Sequence, residues 1–144
     1  MRPRLDLRAA SAALADGDPT MAQVAERLGV AKPTLYKLAG SREELVRRCV
    51  ETEAERVLDH LYGSDAGLPE VLSALDAYEQ DSPGGFRLLF ERRGPDVEDA
   101  LRRLETRLGG MRGAALLGAA AAVVSRARVE GVNPLVHVST GWRT

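Results

Sequence analysis

The chain has 144 residues, and its 20 basic and 21 acidic side chains nearly cancel, leaving a net charge of -1. This total does not itself indicate a nucleic-acid partner, so any basic surface must be local. One cysteine excludes an intramolecular disulfide and a cysteine-based metal cluster, and we expect neither a metal nor a cofactor. The most apolar stretch, residues 113–124, is too short to cross a bilayer, and the N-terminus is no secretory signal. We therefore predict a cytoplasmic protein that does not contact a membrane.

Apolar residues recur at helical spacing almost throughout, which predicts an all-α protein. The first helix covers residues 5–15 and ends before a turn at residues 16–19. The second begins at Thr20, whose hydroxyl caps the helix while Gln23 reaches back, a T-x-x-Q capping box. It ends at Gly29, because glycine tolerates the left-handed turn geometry.

The third helix is short and carries proline in its first turn, where a missing N–H costs nothing. Gly40 ends it near residue 38. Ser41 and Glu44 then form a second capping box that opens a long fourth helix, ending near residue 62. Further helices are predicted over residues 68–80, 86–93, 96–108 and 111–129, with breaks at 63–67, 81–85, 94–95 and 109–110.

The second and third helices with their glycine turn make a helix-turn-helix, whose second helix enters the DNA major groove. The chain has only two lysines, Lys32 and Lys37, and both lie on or beside this short helix. Thr34 and Tyr36 add hydroxyl groups there, so the helix carries groups that can contact phosphates or base edges.

Local charge follows the same pattern. Residues 1–42 have a net charge of +3, whereas residues 43–65 have a net charge of -4. The sign changes just beyond the short helix, as an electrostatic footprint for DNA requires. Two lysines on a surface helix are also compatible with solvation alone, so spacing and charge leave both interpretations open.

Residues 20–45 resemble the N-terminal domain of TetR/AcrR-family transcriptional regulators, through the stretches TMAQVA, LGV, TLYK and GSREEL. The resemblance covers roughly residues 5–60. It implies a homodimer that binds a roughly palindromic DNA operator, usually as a repressor, and a C-terminal helical domain that dimerises and binds a small-molecule effector. By motif position it implies DNA contacts at Thr20, Lys32, Thr34, Tyr36 and Lys37.

The chain also departs from that family pattern. Ala39 stands where an aromatic residue usually packs the three-helix core, and Ala31 stands where Ser or Thr commonly caps the helix. The C-terminal part is short for the family. We predict a helix-turn-helix DNA-binding domain over residues 1–44 and a helical effector-binding and dimerisation domain over residues 45–144.

An effector pocket and a dimer face are expected in the second domain. The candidate pocket residues are the aromatic and methionine side chains Tyr62, Tyr78, Phe86, Phe90 and Met111, for each of which core packing is the alternative. The Ala- and Gly-rich segment 113–124 favours a dimer face, with an ordinary buried helix as its alternative.

We therefore expect a sequence-specific DNA-binding regulator, a repressor that a small effector releases from its operator. The alternative is a helical ligand-binding or protein-interaction module that has lost operator binding. The sequence contains no nucleophile elbow, phosphate loop or paired metal-ligand motif, so we do not expect an enzyme.

Overall fold

A computed structural model describes residues 4–61, 67–92 and 94–135. Every regular element in these ranges is helical, which confirms the all-α prediction. The candidate ligand residue Tyr62 and the tail beyond residue 135 lie outside the described residues. The elements are α1 (Leu7–Ala15), α2 (Met21–Leu28), α3 (Lys32–Ala39), α4 (Arg42–Leu61), α5 (Leu68–Asp81), α6 (Pro83–Phe86) with a π-helical turn at Arg87–Glu91, α7 (Pro95–Arg107) and α8 (Met111–Glu130).

The chain divides into two compact units, each discontinuous in sequence. The first contains the described residues up to 55 together with those of 82–101, and the second contains those of 56–81 and from 102 onward. These units are defined by compactness, whereas the predicted boundary between residues 44 and 45 divides the chain by role. That boundary stays a prediction.

Helix α1 is the centre of the first unit and packs against α2 and α6. Its residues Ala10 and Leu14 are fully buried. The helix starts at Leu7 rather than at residue 5 because Asp6 caps it, accepting hydrogen bonds from the amides of Arg8 and Ala9 at 3.1 Å each. An aspartate in this position satisfies amides that have no partner inside the helix.

Helix α6 forms where the sequence predicts a break. It begins at Pro83 and includes Gly84, which glycine content alone marks as a helix breaker. A Cβ atom on Gly84 would lie 2.5 Å from the Cα atom of Ala12, so glycine is required for the close approach of α6 to α1. Tertiary packing therefore overrides the local preference here.

The second unit is built on the contact between α5 and α8. Leu72 and Leu75 of α5 are buried, as are Leu117 and Val124 of α8. No single described helix is long and apolar enough to cross a membrane; α7 and α8 reach that length and composition only together, across a bend of 117°.

Candidate nucleic-acid interface

The N-terminus of α2 is closed by the predicted capping box. The Thr20 hydroxyl accepts from the amide of Gln23 at 3.2 Å, and the Gln23 side-chain oxygen accepts from the amide of Thr20 at 2.9 Å. Both bonds are present, so the prediction from T-x-x-Q is confirmed. This cap fixes the direction of the Thr20 side chain at the surface, where it is exposed.

The turn between α2 and α3 depends on Gly29. Its φ of 69° lies in the left-handed region, and the amides of Gly29 and Val30 donate to the carbonyls of Glu26 and Ala25 at 3.1 and 3.0 Å. These bonds satisfy carbonyl groups that the end of α2 leaves without helical partners. The turn directs the chain immediately into α3, which packs against α2.

Helix α3 has a buried side and an exposed side. Leu35 and Ala39 are buried, so Ala39 lies in the core although it is not aromatic. Ala31 makes no side-chain capping bond, as expected, and Pro33 occupies the first turn. The exposed side carries three of the predicted DNA contacts, with Thr34 half-buried at its edge: Lys32, Tyr36 and Lys37.

The exposed side of α3 is cationic and partly aromatic. Lys32 Nζ lies 6.0 Å from the ring centroid of Tyr36, within cation–π range, and the Tyr36 side chain remains 43% exposed. Within the described ranges, neither Lys32 nor Lys37 forms an ion pair with a carboxylate. Both ammonium groups are therefore available to an anion such as a phosphate.

An open cleft of about 570 Å³ joins α3 to the starts of α2 and α4. Thr20 and Tyr36, two of the predicted contacts, line it together with Arg42 and Ser41. Arg42 was not among the residues predicted from the sequence as contacts. One signal for it exists: a cation in the first turn of a helix opposes the helix dipole and so requires another reason to be there.

Arg42 itself is held in place by the turn before α2. Its Nε donates to the carbonyl of Pro19 at 2.9 Å, and its Nη2 lies 2.7 Å from Oδ1 of Asp18. The neighbouring Arg47 is engaged differently, because its guanidinium bonds to Glu44 and lies 3.7 Å from a carboxylate oxygen of Glu51. The hydrogen bond and charge of Glu44 raise the pKa of Arg47, so this side chain stays cationic but paired.

The candidate ligand residues lie in different places. Tyr78, in the second unit, is fully buried with its ring edge-on to His60 at a centroid distance of 5.9 Å. Phe86, in the first unit, is fully buried and 5.0 Å from the ring of Phe90. Met111, at the start of α8, is 91% exposed. Their assignment to one effector pocket stays a prediction.

Two comparisons with known proteins bear on the site. Residues 7–49 match the family model described as bacterial regulatory proteins, tetR family. The matched range contains α1 to α3 and the start of α4, and thus all five predicted DNA contacts and Arg42. The search of curated proteins gave no match to the chain.

Proposed function

We propose, from the membership of residues 7–49 in the tetR family of bacterial regulatory proteins, that this chain is a transcriptional repressor. It is a DNA-binding regulator by that family domain. The finer proposal is that a homodimer binds a near-palindromic operator in the cytoplasm and leaves it when a small molecule binds. The observation that carries the proposal is the exposed side of α3, with two available lysines beside Tyr36.

In the proposed complex, α3 lies in the major groove with its N-terminal residues at the base edges. Lys32 and Thr34 lie in the first turn of α3, the part of the helix at the base edges, so they face bases or the nearest phosphates. Lys37 and Tyr36 reach the flanking phosphates, for which lysine's flexible stem suits a contact without fork geometry. Thr20 contributes from the cap of α2, across the cleft that it shares with Tyr36.

The proposed dimer uses the exposed side of α8. Between Arg112 and Arg126, the exposed residues of α8 are all alanine or glycine, which permits the close approach of a second helix. Met111 is 91% and Val129 81% exposed, unusually high for large apolar side chains. Exposed Ala115, Gly118 and Ala122 lie between them at helical spacing.

The effector site is proposed to lie in the second unit. A cleft of about 430 Å³ is lined there by His60 near the end of α4 and by Pro69, Glu70 and Ser73 of α5. His60 also contacts the ring of buried Tyr78, so a ligand in this cleft would act directly on the core of the unit. Effector binding would favour a state of α4 in which the α3 helices of the two protomers no longer match successive half-sites of the operator. These half-sites lie about 34–36 Å apart or at a multiple of that distance.

A second candidate function is a helical ligand-binding or interaction module without an operator. One observation favours it: Ala31 leaves the N-terminus of α3 without a side-chain cap. Against it stand the two exposed lysines.

The test of DNA binding is a titration of the full-length protein onto a DNA fragment from upstream of its own gene, at several salt concentrations between about 50 and 300 mM. The repressor proposal requires a footprint on a near-palindrome and an affinity that falls steeply with salt. Binding that is weak and equal on a scrambled fragment would favour the second candidate.

The dimer is tested separately by sedimentation velocity. The wild-type chain of 15.5 kDa is expected to sediment at twice that mass. Ala122→Glu places a carboxylate in the middle of the exposed α8 side and should give monomers. Gln80→Glu, which adds the same charge at an exposed position of α5, serves as the matched control and should remain dimeric. A monomeric wild type would refute the dimer.

A further inference from the structure

The turn between α1 and α2, residues 16–19, is held by a side chain from far along the chain. Arg92 follows the π-helical turn and lies outside the segment that matches the family model. Its Nη1 donates to the carbonyl of Leu14 at 2.6 Å, and its Nη2 donates to Oδ1 of Asp18 at 3.3 Å. One guanidinium therefore bonds the end of α1 and the turn that follows it.

The same carboxylate is bonded from a second direction. Oδ1 of Asp18 also accepts from Nη2 of Arg42 at 2.7 Å, and Nε of Arg42 donates to the carbonyl of Pro19 at 2.9 Å. Asp18 thus lies between two arginines. Because Pro19 directly precedes Thr20, these bonds fix the backbone at the point where α2 begins.

Both arginine side chains in these contacts are partly buried. The side chains of Arg42 and Arg92 are only 29% and 21% exposed, whereas that of Asp18 is 86% exposed. Partly buried guanidinium groups are screened less by salt than fully exposed pairs. The carbonyl of Leu14 belongs to the last turn of α1 and has no amide donor within the helix. A positive charge is favourable at this end of a helix.

We propose that Arg92 is a positioning residue of the DNA-binding unit, which sets the start of α2 through Leu14 and Asp18 without touching DNA. The proposal rests on the function proposed above and adds a route for its regulation. Arg92 directly follows α6 and the π-helical turn, so any change that shifts this segment moves Arg92. The Thr20 cap and the cleft that it shares with Tyr36 would move in turn.

The test compares Arg92→Ala with a matched control, Arg87→Ala. Arg87 lies in the same segment and faces the same turn, with Nη2 3.5 Å from Oδ1 of Asp16, but it forms no ion pair with Asp18. Both substitutions remove one positive charge. Two readouts are needed: hydrogen exchange of the Gln23 amide in the free protein, which reports the α2 cap, and affinity for the operator fragment across a range of salt.

We expect Arg92→Ala to speed exchange at Gln23 and to weaken operator binding, each by about tenfold. Arg87→Ala should change either by less than about threefold. The dependence of affinity on salt should stay the same in Arg92→Ala, since the side chain meets no phosphate. Arg92→Lys keeps the charge but lacks the fork, and should fall between the wild type and Arg92→Ala; it replaces Arg92→Ala if that variant loses its helical circular dichroism.

Several results would overturn the positioning role. Unchanged exchange at Gln23 in Arg92→Ala would do so, as would equal losses of affinity in Arg92→Ala and Arg87→Ala, because charge alone would then explain both. A shallower salt dependence would make Arg92 a direct phosphate contact instead. If the wild type binds no DNA, the repressor proposal fails, and Gln23 exchange in the free protein still decides whether Arg92 positions α2.

Discussion

Thr20 and Gln23 hydrogen-bond each other twice at the start of α2, each side chain accepting from the other residue's backbone amide. The pair closes the N-terminus of the first helix of the helix-turn-helix, and it holds Thr20 in the cleft beside Tyr36. One local feature of the sequence thus serves both the stability of α2 and the geometry of the proposed interface.

Thr20→Ala should lower the free energy of unfolding by about 1 kcal/mol, because the Gln23 amide loses its acceptor. Thr20→Ser keeps the hydroxyl and should lie close to the wild type. Urea unfolding monitored by circular dichroism measures both. Equal stability of Thr20→Ala and the wild type would show that the cap contributes nothing.

Lys37→Ala should weaken binding to every DNA sequence alike and reduce the slope of log affinity against log salt by about one unit, because a phosphate contact releases a counterion. Arg102→Ala removes the same charge from an exposed position on α7 and is the control. A slope that stays at the wild-type value in Lys37→Ala would argue that Lys37 does not reach a phosphate.

Gly84→Ala and Gly118→Ala should have opposite effects, although both glycines lie in helices. A Cβ atom on Gly84 would meet the backbone of Ala12 at 2.5 Å, so α1 and α6 must separate, at a cost of about 1–3 kcal/mol. A Cβ on Gly118 meets no described atom of its own chain within 4 Å, so in a monomer alanine should stabilise α8 by about 0.5–1 kcal/mol. Thermal unfolding of both variants in the monomeric Ala122→Glu background, at one protein concentration, compares them without the proposed dimer contact. A Gly84→Ala variant as stable as its background would contradict the close approach of α1 and α6.

Stability should fall at high pH through Cys49. Burial raises the pKa of its thiol to about 11, and its Sγ lies 3.8 Å from the carbonyl of Leu7. The thiol of the unfolded chain ionises first as pH rises, so the contribution is complete below about pH 8.5 and is lost towards pH 11, by roughly 3 kcal/mol.

Cys49→Ser isolates this effect, because serine does not titrate in that range. The difference in unfolding free energy between wild type and Cys49→Ser, measured from pH 8 to pH 11, should therefore move against the wild type. A constant difference would mean that the folded and unfolded thiols ionise alike.

Much of the fold follows from local signals in the sequence. The start of α2 follows from the Thr20 box, and its end from Gly29, since both rest on bonds within a few residues. Local signals failed for α6, because they predict a break at residues 81–85 where the helix begins at Pro83. Gly84 and its neighbour have a low helix propensity, and the helix that they form packs against Ala12 of α1, which is distant in sequence.

The candidate site likewise has a part that local sequence signals predict and a part that they do not. The exposure of Lys32, Tyr36 and Lys37 follows from the periodicity that buries Leu35. The contacts of Arg92 with Leu14 and Asp18 join residues that are distant in sequence and that no local pattern relates, so only the three-dimensional structure reveals them.

The unit that carries the helix-turn-helix is completed by residues 82–101, which the chain reaches only after passing through α5. A fragment that stops near residue 50 would leave α1 without its contact with α6, and Leu14 without its arginine donor. Transplanting only the segment that matches the family onto another protein would therefore move an incomplete fold. A chimera that is meant to keep this DNA-binding unit needs both the residues up to 55 and residues 82–101.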